Sequence, residues 1–241
     1  MKLKRSLSEY VRRYICFTIS LFIMALGVAI STKSDLGTSP VSCVPYVLSL
    51  GLPLSMGVTT IIWNAVFILV QIILQRRDFK PFQLLQIATI SVFGYFTDFA
   101  LALVSWINVD TYIMRWVLCI ISSMVIAIGV SLEVKSDVLM LAGEGTMTVI
   151  SNKFGIEFGK VKTGFDCTQM LIGVALSLLM FGKLQGVREG TVAAAILVGV
   201  FVRFIYKKFG FIFVWLKLDK PHQSRICLLY TSPSPRDSTS S

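Results

Sequence analysis

Six apolar runs, each about long enough to cross a bilayer, dominate this 241-residue chain and constrain its fold more than any other feature. A crossing helix needs about 20 mostly apolar residues. The runs are Tyr14–Ser31, Met56–Gln75, Phe82–Ile107, Ile113–Glu133, Val161–Phe181 and Val187–Tyr206. Composition agrees: 55% of residues are hydrophobic and 15% charged, where a soluble domain carries charge on about a quarter. Too little polar surface remains to face water all round. The expectation is an all-α integral membrane protein, a single polytopic domain over residues 1–226 with the lipid bilayer as its first partner.

The formal charge of +10 then reads as topology and contact with anionic lipid rather than nucleic acid, because the basic residues form short clusters between apolar runs. Lys2, Lys4, Arg5, Arg12 and Arg13 put the N-terminus in the cytoplasm. Arg76, Arg77 and Lys80 follow the second run, Lys153, Lys160 and Lys162 precede or open the fifth, and Lys207 and Lys208 end the sixth. All belong inside, while the Lys- and Arg-free "WINVDTY" belongs outside. Lys183 and Arg188 run against this N-in, C-in scheme. The first run lacks a small-residue cleavage site and is expected to be retained.

The far end is a different kind of sequence. "CLLYTSPSPRD" (Cys227–Asp237) and the following "STSS" read as a translated sequencing adapter, so residues 227–241 are set aside. Cys16, Cys43, Cys119 and Cys167 form no C-x-x-C pair, and a disulfide framework or metal site is not indicated. No phosphate loop or dinucleotide fingerprint is present, and no nucleophile–base set is visible, so neither a cofactor nor an enzymatic activity is expected.

Two segments repeat. "ALGVAISTKSD" (25–35) and "AIGVSLEVKSD" (127–137) share six of eleven positions at an offset of 102, 127 minus 25. The offset continues through Val47 and Val149, Ser49 and Ser151, Gly57 and Gly159, and Asn64 and Asp166. It later slips by three, aligning "GYFTDF" (94–99) with "GVFVRF" (199–204). The chain is therefore read as two halves, about 14–107 and 113–206. Three spans is an odd number, so the second half lies inverted. Each half also holds a short apolar piece broken by Gly or Pro, 37–55 and 138–150. Such paired pieces in inverted halves point to a transporter's central site, since irregular backbone at membrane depth must lie within protein or beside a cavity. Lys33 and Asp35, with Lys135 and Asp137, mark where the first helix of each half ends, either as plain helix-end residues or as part of the site.

"SDLGTSP" (34–40), "LEVKSDVLMLAGEG" (132–145), "FGKVKTGFD" (158–166) and "GVREGT" (186–191) resemble the bacterial YczE-like membrane proteins, relatives of the YitT family. The resemblance implies a multi-pass, transporter-like protein of the bacterial cytoplasmic membrane. It supplies no catalytic residue and no substrate.

Charge inside a span is costly and usually faces a partner or a cavity. Asp98 and Arg203 occupy equivalent places on faces of small residues, Gly94–Asp98–Ala102 and Thr191–Ala195–Gly199–Arg203, and could pair across the halves. Inversion opposes this, because it sends the two toward opposite membrane faces and lets Arg203 snorkel. Asp166, opposite Asn64, and Glu144, between two glycines, could supply carboxylates for a proton, a cation or a basic substrate. Arg188 and Glu189 read as a structural pair opening the sixth span. The expected function is secondary transport of a small solute. The alternatives are a binding subunit for a separate energising ATPase and a non-transporting scaffold or regulator.

Overall fold

A computed structural model describes residues 7–76 and 81–215, and all regular structure among them is helical. The helices are α1 (Leu7–Lys33), α2 (Pro40–Gly51), α3 (Met56–Gln75), α4 (Leu85–Leu103), α5 (Tyr112–Ser136), α6 (Ala142–Phe154), α7 (Phe158–Phe181) and α8 (Glu189–Trp215). Among the described residues six helices are long and apolar enough to cross a membrane, and they fall on the six apolar runs. The protein is a multi-pass membrane protein. Within α1 the charged Arg13 and Glu9 are both buried and pair at 3.2 Å. The third span ends at Leu103 rather than Ile107. The tail read as adapter, 227–241, lies outside the described residues.

The two broken pieces are each a short helix. Pro40 opens α2, where a missing N–H costs nothing, and α6 ends at Gly155 in the left-handed region. The order long–short–long–long thus occurs twice, α1–α4 and α5–α8.

The first helices of the halves cross at the centre. A Cβ on Gly27 would lie 2.9 Å from the Ile126 N and 3.1 Å from the Ser122 O. A Cβ on Gly129 would lie 3.0 Å from the Met24 N and 3.1 Å from the Ser20 O. Each contact maps onto the other at the offset of 102, and α5 residues fall in number as α1 residues rise. The helices are antiparallel about a local two-fold axis, with glycine on both sides to let the backbones meet. The rest of the packing follows this axis: α1 meets α4 as α5 meets α8, and α2 meets α7 as α6 meets α3.

Lys-Ser-Asp is how these central helices stop. Asp35 (φ 52°) and Asp137 (φ 50°) both turn the chain left-handed, a conformation Asp tolerates better than most residues. Ser34 and Ser136 donate back to the Ser31 and Glu133 carbonyls. The opposite half holds each stop. Arg13 Nη1 donates to the Ser136 carbonyl at 2.9 Å, and its repeat equivalent Arg115 donates to Asp35 Oδ2 at 2.7 Å. Lys33 Nζ donates to the Ser105 carbonyl, and Lys135 lies over the Tyr206 ring. Lys33, Asp35 and Lys135 are therefore structural anchors, and Asp137 makes the left-handed turn that ends α5. Arg188, which ran against the charge rule, donates to the Asp35 carbonyl and has a partner in that same corner.

The symmetry breaks at one seam. Gly57 and Gly94 bring α3 and α4 so close that a Cβ on either would strike the other's carbonyl oxygen. At the equivalent Gly159 and Gly199 nothing lies within 4 Å. The α3–α4 seam is closed and its α7–α8 counterpart is open.

Candidate functional site

A central cavity of about 110 Å³ lies where the short helices begin, and its wall is built in repeat pairs. Met24 and Ile126, Val28 and Val130, Ser42 and Glu144, Pro45 and Met147, Thr60 and Lys162, and Asn64 and Asp166 all line it. Each pair differs by 102, so the cavity sits on the local two-fold axis. The N-terminal turns of α2 and α6 enter from opposite sides, and Gly199 of the open seam completes the wall.

The chemistry is not symmetric. The first half contributes Ser42, Thr60 and Asn64, which are neutral, and the second puts Glu144, Lys162 and Asp166 in the same places. Lys162 Nζ donates to Asp166 Oδ2 at 2.9 Å, across one helical turn. The Asn64 amide instead donates to the Thr60 backbone carbonyl at 2.9 Å, so the equivalent positions share the i, i+4 spacing but not a side-chain pair. Asp166 is 7% exposed, and its second oxygen is buried without a hydrogen-bond partner.

Glu144 also lines a second, larger space, a vestibule of about 320 Å³ bounded by the ends of α3 and α5, the start of α4 and one face of α6. Among the described residues its wall carries Glu133, Asp137, Glu144, Gln75, Gln83 and Gln86, and no Lys or Arg. Glu133 is 1% exposed. One of its oxygens accepts the Leu141 N–H at 2.9 Å, which fixes the entry to α6, and the other has no partner. Behind the wall the buried Gln71 side chain donates to the Ala142 carbonyl at 3.0 Å, tying α3 to the start of α6.

Asp166, Glu144 and Asn64 line the same cavity. The structure does not bring Asp98 to Arg203. Asp98 accepts from Ser55 Oγ at 2.6 Å and from the Gly57 N–H at 2.7 Å, capping the start of α3 and latching the closed seam. Arg203 is exposed on α8, as the inverted arrangement requires. Asp98→Ala is therefore expected to cost about 1–2 kcal/mol through the lost helix cap, with Asp98→Asn close to wild type. Thermal unfolding in detergent measures the difference. Two charges of the site went unread: Lys162 passed for a topology charge, and Glu133 for the end of a span.

Fold and site together define a six-span membrane protein of two inverted halves around a charged central cavity. The chain belongs to the Family of unknown function (DUF6198), whose pattern matches residues 11–207. No curated protein and no solved structure matches it.

Proposed function

We propose that the protein is a small-solute secondary transporter of the bacterial cytoplasmic membrane, related to the YczE-like and YitT proteins. One observation carries this reading: the cavity on the local two-fold axis, lined pair by pair from both halves and charged from one. Substrate sites of inverted-repeat transporters lie where broken or short helices meet at the repeat interface. The unequal seams support it further. Alternating access needs one side of the site closed while the other is open, and here the α3–α4 seam is shut and the α7–α8 seam is not. With the N-terminus inside, the open seam and the vestibule face the cytoplasm, and the structure is the inward-open state.

Glu144 is placed to couple solute to proton movement, because it borders both spaces and burial disfavours the charged form of a carboxylate. Purified protein in sealed vesicles should move solute from a mixed metabolite pool, and an imposed pH gradient should drive accumulation. Glu144→Gln keeps shape and hydrogen bonding but cannot titrate. It is expected to abolish gradient-driven accumulation while leaving exchange in place. Full pH-driven transport by Glu144→Gln, Asp166→Asn and Asp98→Asn alike would rule out coupling through these carboxylates. No flux with any pool would favour the binding-subunit or scaffold reading instead.

A further inference from the structure

We propose that Glu157 and Arg203 form an ion pair that latches the α7–α8 seam shut in a second state of the protein. The seam that is already shut shows how such a latch is laid out. Gly57 faces Gly94 across α3 and α4. Asp98, four residues past Gly94, accepts from Ser55 Oγ, two residues before Gly57. The same spacing surrounds the open seam. Gly159 and Gly199 replace the two glycines, Glu157 stands two residues before the first, and Arg203 four past the second. The offsets are those of the repeat: 157 minus 55 and 159 minus 57 are both 102, and 199 minus 94 and 203 minus 98 are both 105. Where the first half holds a hydroxyl and a carboxylate, its inverted counterpart holds a carboxylate and a guanidinium. Either set is complementary. Arginine and carboxylate pair strongly because their two N–H donors and two oxygens match in geometry.

The residues around the open seam suit a closure that has not happened in this state. Gly199 lies inside α8, where glycine is disfavoured relative to alanine. A Cβ on Gly159 or Gly199 would have nothing within 4 Å, so the present packing gives neither glycine a reason. A state in which α7 and α8 meet as α3 and α4 do here gives both one, since small residues let membrane helices approach closely. Glu157 and Arg203 are both exposed. Glu157 precedes α7 without capping it through its side chain, and lies 3.9 Å from the exposed Lys160. Exposed pairs of this kind contribute little, so exchanging Lys160 for Arg203 meets little resistance. With the N-terminus inside, the Asp98 latch closes the outer side and the Glu157–Arg203 latch the cytoplasmic side.

The latch rests on the transport reading only in needing a second state, open to the outside. Ala195 lines the central cavity, and Ala195→Cys in a Cys167→Ser chain places a thiol there, the other described cysteines being buried. Its rate of reaction with a small membrane-impermeant methanethiosulfonate, applied outside right-side-out vesicles, follows the outward-open population. The same chain without Ala195→Cys supplies the background. Loss of an exposed ion pair changes the ratio of two states about two- to five-fold. Glu157→Gln and Arg203→Gln are each expected to lower the outside rate by that factor, and Glu157→Arg combined with Arg203→Glu to restore it. Lys160→Gln should leave the rate unchanged, and Asp98→Ala, which releases the outer latch, should raise it. Unfolding midpoints of the two Gln variants should match the parent, because both side chains are exposed in the present state. Should the exchanged pair fail to fold, the two Gln variants decide alone. The proposal is overturned by an outside rate that neither Gln variant lowers, by a folded exchanged pair that restores nothing, or by no outside labelling in the parent and Asp98→Ala alike. Shifted labelling without flux of any solute would retain the latch and remove the transporter, while flux with labelling indifferent to Glu157 and Arg203 would do the reverse.

Discussion

Alanine at Gly27 or at Gly129 is expected to destabilise the protein by about 1–3 kcal/mol each, and the double variant to lose most of its folded fraction. Alanine ordinarily gains about 1 kcal/mol over glycine inside a helix, so the expected sign is opposite to propensity. The reason is the crossing of α1 and α5, where a new Cβ would meet main-chain atoms of the facing helix at 2.9–3.1 Å. Main chain cannot rotate aside as a flexible side chain can. At Gly159 and Gly199, with nothing within 4 Å, the same substitution should be neutral or mildly stabilising. Unfolding midpoints of the four single variants in detergent read this directly. Equal stability of Gly27→Ala and wild type would mean that the central helices do not cross there.

The second large effect concerns the charged side of the cavity. Asp166→Asn alone leaves the Lys162 ammonium without its partner. Breaking a buried pair costs about 3–5 kcal/mol, and the lower end applies here because the Lys162 side chain is 26% exposed. The double change Lys162→Thr with Asp166→Asn installs the residues that the first half already carries at Thr60 and Asn64. It should recover most of the stability lost in the single variant, because replacing both members of a buried pair leaves no orphan charge. Transport should remain absent. A double variant that folds and still transports at the wild-type rate would show that the charges are not part of the mechanism.

Much of this architecture was legible in the chain. Apolar length fixed the spans, and Met56–Gln75 coincides with α3 to the residue. The repeat identified the inversion and paired Asn64 with Asp166. What stayed hidden had one physical cause: a charged residue near a membrane surface looks the same whether it marks topology or turns inward. Lys162 sits among lysines that serve orientation, so its contact with Asp166 one turn later carried no separate signal. Arg13 and Arg115 are offset by 102, yet one lies in a basic cluster and the other in an apolar run. Their shared task of holding the opposite half's helix end emerges only when α1 and α5 are antiparallel. Glu133 ended an apolar run and was taken as its boundary, although it turns back to accept the Leu141 N–H. Asp98 and Arg203 failed as a pair for a reason the sequence did contain, since inversion separates equivalent positions across the membrane.

The central claim is that two inverted halves enclose one site, and paired cysteine labelling tests it most directly. Leu54 and Ile156 are repeat equivalents, 156 minus 54 being 102, and both are exposed, just before α3 and α7 respectively. Each is changed to cysteine in a Cys167→Ser background, the other described cysteines being buried. A membrane-impermeant maleimide applied to intact cells should label the Leu54→Cys protein at once and the Ile156→Cys protein only after permeabilisation. Labelling of both from the same side would contradict the inverted arrangement, and with it the site on its axis.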